Sequence, residues 1–170
     1  NIRVFLDNED LFFDKWDLLS YQSVDDRLVP SNIYDSLISF IPRLKDIEYA
    51  KLYPEQQTGD GSIEHPFQML FYIYADVVRE FEKEVYKFEK DHPEFQLNTY
   101  NNIFLMNGLR WDEEVMTKAD VSNANGQVVM ALILGAIRAE RFCDGTLKDF
   151  LELGCIEKWL LRLQEIASKI

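Results

Sequence analysis

Val128-Val129-Met130-Ala131-Leu132-Ile133-Leu134-Gly135-Ala136-Ile137 is the longest uninterrupted apolar run in the chain, and its reading decides the fold. It is about half of the ~20 residues that a membrane-spanning helix requires. A helix from about Gly126 to Phe142, apolar on all sides through its middle, must instead be surrounded by other helices. Gly135 lets one of those neighbours approach closely. The polar linker Ser122-Asn123-Ala124-Asn125 can cap the helix, and Asp144-Gly145 can end it. Thr146 with Asp149 reads as a capping box opening a short helix that closes at Gly154. A final helix carries Ile156, Leu160, Leu163 and Ile166.

Working back toward the start, Trp111 to Lys118 predicts a short helix, and Leu97, Tyr100 and Phe104 predict another that ends near Gly108. His92-Pro93 opens that segment, since proline suits a first helical turn. From Phe67 onward the spacing of Leu70, Tyr74, Val77, Phe81, Val85 and Phe88 predicts one long helix, buried in its first half. Periodicity fails between Tyr49 and Pro66, where Gly59-Asp60-Gly61-Ser62 suits a hairpin tip or a loop. Ser31 or Asn32 can cap a helix with the stripe Ile33, Leu37, Ile41 and Leu44, which Pro42 kinks or ends early. Asp7, Glu9 and Asp10 precede a first helix from about Asn8 to Ser20, while Ile2 to Leu6 fits a short strand or a helix lead-in. The sum is an all-α fold: one domain over residues 1–170, a bundle of six or seven helices around a central apolar helix. Residues 1–30 read as an extension packed on it, and a short β-hairpin has room between residues 49 and 66.

Composition supports a folded domain, with 47% hydrophobic and 14% aromatic residues. Aromatic side chains bury large areas that offset the entropy of ordering. The formal net charge of −12 lies wholly before Asn125: residues 1–124 hold 24 acids and 12 bases, the remainder 6 of each. Such acidity opposes phosphate backbones, so no direct nucleic-acid binding is expected. The charge also serves solubility, and leaves room for a basic protein partner. No signal-peptide h-region opens the chain and no membrane span occurs, which predicts a cytoplasmic protein. Cys143 and Cys155 are expected as reduced thiols; with neither CxxC spacing nor histidine neighbours, they predict no metal site and no cofactor.

The most distinctive motif is Arg138-Ala139-Glu140-Arg141-Phe142-Cys143-Asp144-Gly145. Arg138 and Arg141 lie one turn apart at the exit of the buried helix. Two guanidiniums there could grip a carboxylate or phosphate, with Glu140 or Asp144 orienting them. The plainer reading is a fold-locking ion pair that also complements the helix dipole. Asp25-Asp26 and Glu113-Glu114 are acidic pairs of the kind chance supplies among 30 acids. His65 and His92 belong to no ligand set and read as turn histidines. Gly59 to Ser62 lacks the Lys-Ser/Thr ending of a phosphate loop. Asn98, Asn101, Asn102 and Asn107 suit either a polar ligand or a solvated face. Phe67, Phe71, Tyr72 and Tyr74 could line an aromatic pocket, but their helical spacing favours core.

The run from Ile137 to Leu163, with its Arg-x-x-Arg-Phe-Cys-Asp-Gly turn, resembles the C-terminal part of an uncharacterised bacterial family, the domain of unknown function numbered 6508. Tyr34 to Pro42 is similar to that family's opening helix. The resemblance implies a small helical bacterial protein and transfers no activity. Two functions remain on the residues. One is a non-enzymatic binding or regulatory protein that meets a protein partner, or a second copy of itself, through helix faces in the neutral C-terminal region. The other is a small-molecule sensor or small enzyme whose anionic ligand sits against Arg138, Glu140, Arg141 and Asp144.

Overall fold

The structure, a computed structural model, describes residues 19–169. The segment Ile2 to Leu6 and the expected first helix, save for Leu19 and Ser20, lie outside the described residues. In chain order the helices are α1 (Asp35–Ile38), α2 (Phe40–Arg43), α3 (Asp76–Asp91), α4 (Tyr100–Met106), α5 (Glu113–Lys118), α6 (Gly126–Ala139), α7 (Thr146–Glu152) and α8 (Cys155–Lys169). Between α2 and α3 stand two strands, β1 (Ala50–Tyr53) and β2 (Phe71–Tyr74).

Helix α6 is the axis of the molecule. Every residue from Gly126 to Ile137 is buried, and α3, α4, α7 and α8 pack around it. Gly135 does what its small size allows. A Cβ placed there would meet the Phe104 ring at 3.0 Å and the Met116 methyl at 3.2 Å, while the Trp111 indole donates to the Gly135 carbonyl at 2.9 Å. At its start the Asn125 side chain accepts from the Val128 amide, as expected, and Asp26 accepts from the Gly126 amide at 2.9 Å. The helix ends at Ala139, short of Phe142, and the chain continues in turns through Gly145.

One buried polar residue escaped sequence reasoning. Gln127 is fully buried, yet both of its amide hydrogens and its oxygen are engaged. Nε2 donates to the carbonyls of Gln22 and Phe95 at 3.0 Å each, and Oε1 accepts from the Val24 amide and the Tyr21 hydroxyl. This one side chain ties residues 21–24 and the loop before α4 to the axis.

Two expectations fail at helix starts. The expected second helix is split at Ser39 into α1 and α2, because Pro42 offers no amide to the preceding turn. Pro30 occupies the cap position of the 3-10 turn before it, so neither Ser31 nor Asn32 caps. Likewise α7 begins after Gly145, at φ 92°, with no cap from its own side chains; the Thr146–Asp149 capping box does not form.

The larger correction concerns residues 67–75. The helix expected from Phe67 begins only at Asp76, and Phe71-Tyr72-Ile73-Tyr74 pairs with β1 in antiparallel register, Ala50 opposite Tyr74 and Tyr53 opposite Phe71. Aromatic and β-branched residues favour a pleated surface. Their burial also alternates with period two, Tyr72 and Tyr74 inward, Phe71 and Ile73 outward. The hairpin is therefore present but closes later than residue 66, and α3 buries Val78, Phe81, Val85 and Phe88. Gly59 to Ser62 lies in the loop that joins the strands, the Asp60 and Gly61 amides donating to the His65 carbonyl.

Replacing Gln127 by the similarly sized Met should cost about 2–4 kcal/mol, since two carbonyls and an amide lose their partner inside the protein. Urea denaturation followed by circular dichroism measures it; an unchanged midpoint would show that the amide contributes nothing.

Candidate functional site

The last turn of α6 and the turns that follow it gather four of the residues singled out by sequence, and give each a different partner. Arg138 pairs with Glu89 of α3 at 2.6 Å, both side chains about four-fifths buried, and its guanidinium lies 5.2 Å from the Tyr100 ring centroid. Arg141 is exposed; it donates to the Tyr86 hydroxyl at 2.9 Å and lies over that ring. Both arginines thus reach toward α3. Only Arg138 has its charge met by a carboxylate there.

Glu140 and Asp144 are bonded elsewhere than to the guanidiniums that they were expected to orient. The Glu140 carboxylate accepts from the Gly145 and Leu147 amides, 2.9 Å each, which places a negative charge on the first turn of α7 and supplies the cap that Thr146 does not. Asp144 accepts from the Tyr72 amide of β2 at 2.9 Å. Tyr74 completes the set: its hydroxyl accepts from the Lys148 amide at 3.0 Å and bonds to Glu140. Burial first, and that bond second, push the Tyr74 phenol well above its ordinary value. Gly145 is needed here in its own right, because a Cβ would sit 2.8 Å from the Tyr72 ring. The distinctive motif is therefore the anchor of the β-hairpin.

Beside this anchor, between α3 and the end of α6, lies a cavity of about 310 Å³ lined by Arg79, Glu82, Lys83, Tyr86, Ile137, Glu140 and Arg141. Arg79 and Lys83, which sequence reasoning missed, bring two further cations to Arg141. Their i, i+4 spacing on one helix face, continued by Tyr86, was the available signal. Arg79 also pairs with Glu82 at 2.8 Å. Arg138 and Asp144 do not line this cavity.

The remaining candidates are dispersed. Arg27 holds the exposed Asp25 down at about 2, whereas burial raises Asp26, which serves the Gly126 amide. Those opposite shifts have structural causes. Glu114 pairs with Lys118, and Asp112 caps the helix. His92 meets Glu94 and packs on Phe88, while His65 is exposed. Asn98 precedes α4, Asn102 is buried in it, and Asn107 bonds back to the Ile103 carbonyl, so the asparagines share no solvated face. Both cysteines are free, Cys143 exposed and Cys155 buried with its thiol pushed up by that burial. Among the described residues, no three His, Cys, Asp or Glu stand where they could hold a metal ion, and no helix is long and apolar enough to cross a membrane.

The family of unknown function DUF6508 matches residues 29–169. The chain belongs to this family. The match takes in the hairpin and the Asn98–Asn125 stretch as well as the two ends that carry the resemblance in sequence. No curated protein and no solved structure matches the chain.

The two arginines should respond differently to truncation. Arg138→Ala leaves the Glu89 carboxylate partly buried without its partner and should cost about 2–3 kcal/mol, whereas Arg141→Ala, an exposed contact, should stay within about 1 kcal/mol. Thermal and chemical melts of both variants check this; equal losses would contradict the assignment of partners.

Proposed function

We propose that this chain is a non-enzymatic binding module whose contact surface is the outer face of the β1–β2 hairpin. One observation carries the reading. Every residue from 55 to 69 is exposed, and the hairpin with this connection holds Tyr53, Ile63, Phe67, Met69, Phe71 and Ile73, all large apolar side chains in contact with water. Ile63 is completely open and Met69 84% so. Phe67 and Phe71 thus stand outside, not in the core as their spacing suggested.

A folded chain gains nothing from wetting such groups, and contiguous apolar patches mark contact sites. Scattered exposed leucines would need no explanation; six groups on one hairpin do. The inner face meanwhile is fixed by Glu140, Asp144 and Tyr74, so Tyr53, Phe71 and Ile73, which lie on the strands, are held on a rigid mount, which lowers the ordering cost of binding. That favours the hairpin over the neutral C-terminal helices as the docking surface, because α8 spends Ile156, Leu160, Leu163 and Ile166 on the core.

A photo-crosslinking residue at Ile73, introduced in cells that make the protein, should yield a discrete adduct. The same residue at Gln164, exposed on α8, should not. No adduct at Ile73 would end this reading.

The cavity lined by Arg79, Lys83 and Arg141 favours a second one, a sensor or enzyme for a small anion. Three cations line one 310 Å³ space with two carboxylates, Glu82 and Glu140, a local excess of positive charge in a chain of net charge −12. Phosphate or a dicarboxylate at ~100 Kd should then add about 2.7 kcal/mol of stability. A flat melting screen of such anions would remove it.

A further inference from the structure

We propose that Gln96, Asn125 and Gln127 form a binding track for an extended peptide, and that residues 20–24 of this chain are the segment that occupies it here. The partner that the track fits is an extended segment of another protein carrying Tyr-x-x-Val. This site is separate from the hairpin and stands or falls without it.

The pattern of hydrogen bonds carries the inference. Residues 21–25 have no regular secondary structure, yet one edge of the segment is met group by group by side-chain amides. Gln96 donates to the Ser20 carbonyl at 2.9 Å and accepts from the Gln22 amide at 2.8 Å. Gln127 takes the next pair, donating to the Gln22 carbonyl at 3.0 Å and accepting from the Val24 amide at 3.2 Å. Asn125 then donates to the Val24 carbonyl at 2.9 Å. In an extended chain the N–H and C=O groups of alternate residues point to the same edge. Two glutamine side chains therefore stand where the peptide groups of a neighbouring strand would, which is strand addition with side chains as the receiving edge.

Such bonds read backbone, and any extended chain can make them. Selection by side chain comes at two positions. The Tyr21 hydroxyl donates to Gln127 and accepts from Asn107, 3.3 Å each, and of residues 20–24 only Tyr21 and Val24 pack on the core. Gln22 and Ser23 are exposed.

The segment is held as a ligand is held. No residue from 19 to 30 is fully buried, and a stretch with so little apolar burial opens at low cost. Gln127 is the reverse: fully buried, it finds three of its four partners in residues 21–24 and only one, the Phe95 carbonyl, in the body. A mere core filler at that place would be apolar, since a buried amide costs free energy unless its partners arrive. Gln96, whose amide spans two residues of the segment, holds a left-handed conformation at φ 53°, which a non-glycine residue adopts at a cost. The track also lies within residues 29–169, which match the family, and its occupant lies before them.

Hydrogen exchange and peptide binding on the full chain test the assignment. The Gln22 and Val24 amides should exchange at least about 100-fold faster than those of Leu132 and Ile133, because the segment opens without unfolding α6. Gln22→Pro together with Val24→Pro removes both donors from the segment and leaves the track untouched. That variant should stay folded and bind the end-blocked peptide of residues 20–26 about 10-fold or more tighter than the wild type, in which the track is already filled. Methylating the peptide's Gln22 and Val24 nitrogens should weaken binding about 100-fold, whereas Gln22→Ala in the peptide should change it less than about threefold. Equal exchange rates at the two places overturn the proposal, as does a folded variant that takes no peptide or takes the methylated one equally well. A variant that fails to fold also overturns it, since the segment would then belong to the fold itself.

Discussion

The dryness of α6 is the constraint on which the rest of the structure depends. A helix buried along its whole length satisfies its own middle, but the four free amides at its start and the free carbonyls at its end still need partners. Here water does not provide all of them. At the first turn Asp26, Asn125 and Gln127 fasten residues 21–26 and the turn before α4. At the last turn Arg138 reaches Glu89, and Glu140 carries the chain directly into the start of α7. The two ends of one apolar helix thereby become the two places where non-helical chain is docked.

Docking the hairpin at the second of these places explains why its two faces differ. Tyr72 and Tyr74 are spent on Asp144, Gly145, Glu140 and the Lys148 amide, contacts that fix the strands without using the other side of the sheet. In an ordinary half-buried sheet the outer positions are polar, giving the clean alternation expected of antiparallel strands. Phe71, Ile73 and Tyr53 depart from that rule, and the core does not need them: it is already filled by α1 to α8. Fold stability therefore gives no account of the outer face.

Legibility in the sequence followed the strength of the local signal. The axis could be read because ten consecutive apolar residues admit one burial pattern, and Asn125, Gly135 and Pro42 act through steric or capping effects confined to a turn. The hairpin's second strand could not be read so well. Tyr74 and Leu70 stand at distances that also fit a helix, and the neighbouring Val77-to-Phe88 pattern drew them into it. What separates the two is the pairing with Ala50 to Tyr53, a contact twenty residues away in the chain. Glu140 illustrates the same limit at the site. Its motif was conspicuous, yet the groups that it holds include the Leu147 amide beyond the turn and the hydroxyl of Tyr74, and spacing alone cannot name a partner across so many residues. Gln127 passed unnoticed because one amide in an apolar run carries no periodicity; its importance lies wholly in four groups brought from elsewhere.

The arginine turn also divides by charge. Arg138 and Glu89 cancel each other in a partly buried setting, and the pair contributes geometry more than field. Arg141 rests on a neutral phenol, with Arg79 and Lys83 across the cavity, while Glu140 directs both of its oxygens to backbone amides. An anion entering this space would meet Arg141 before Arg138. It would also compete with Glu140, which lines the cavity and holds α7 and Tyr74. The same carboxylate that fixes the hairpin therefore weakens the anion site beside it, and this is the physical reason to rank a contact surface above a ligand pocket in this fold.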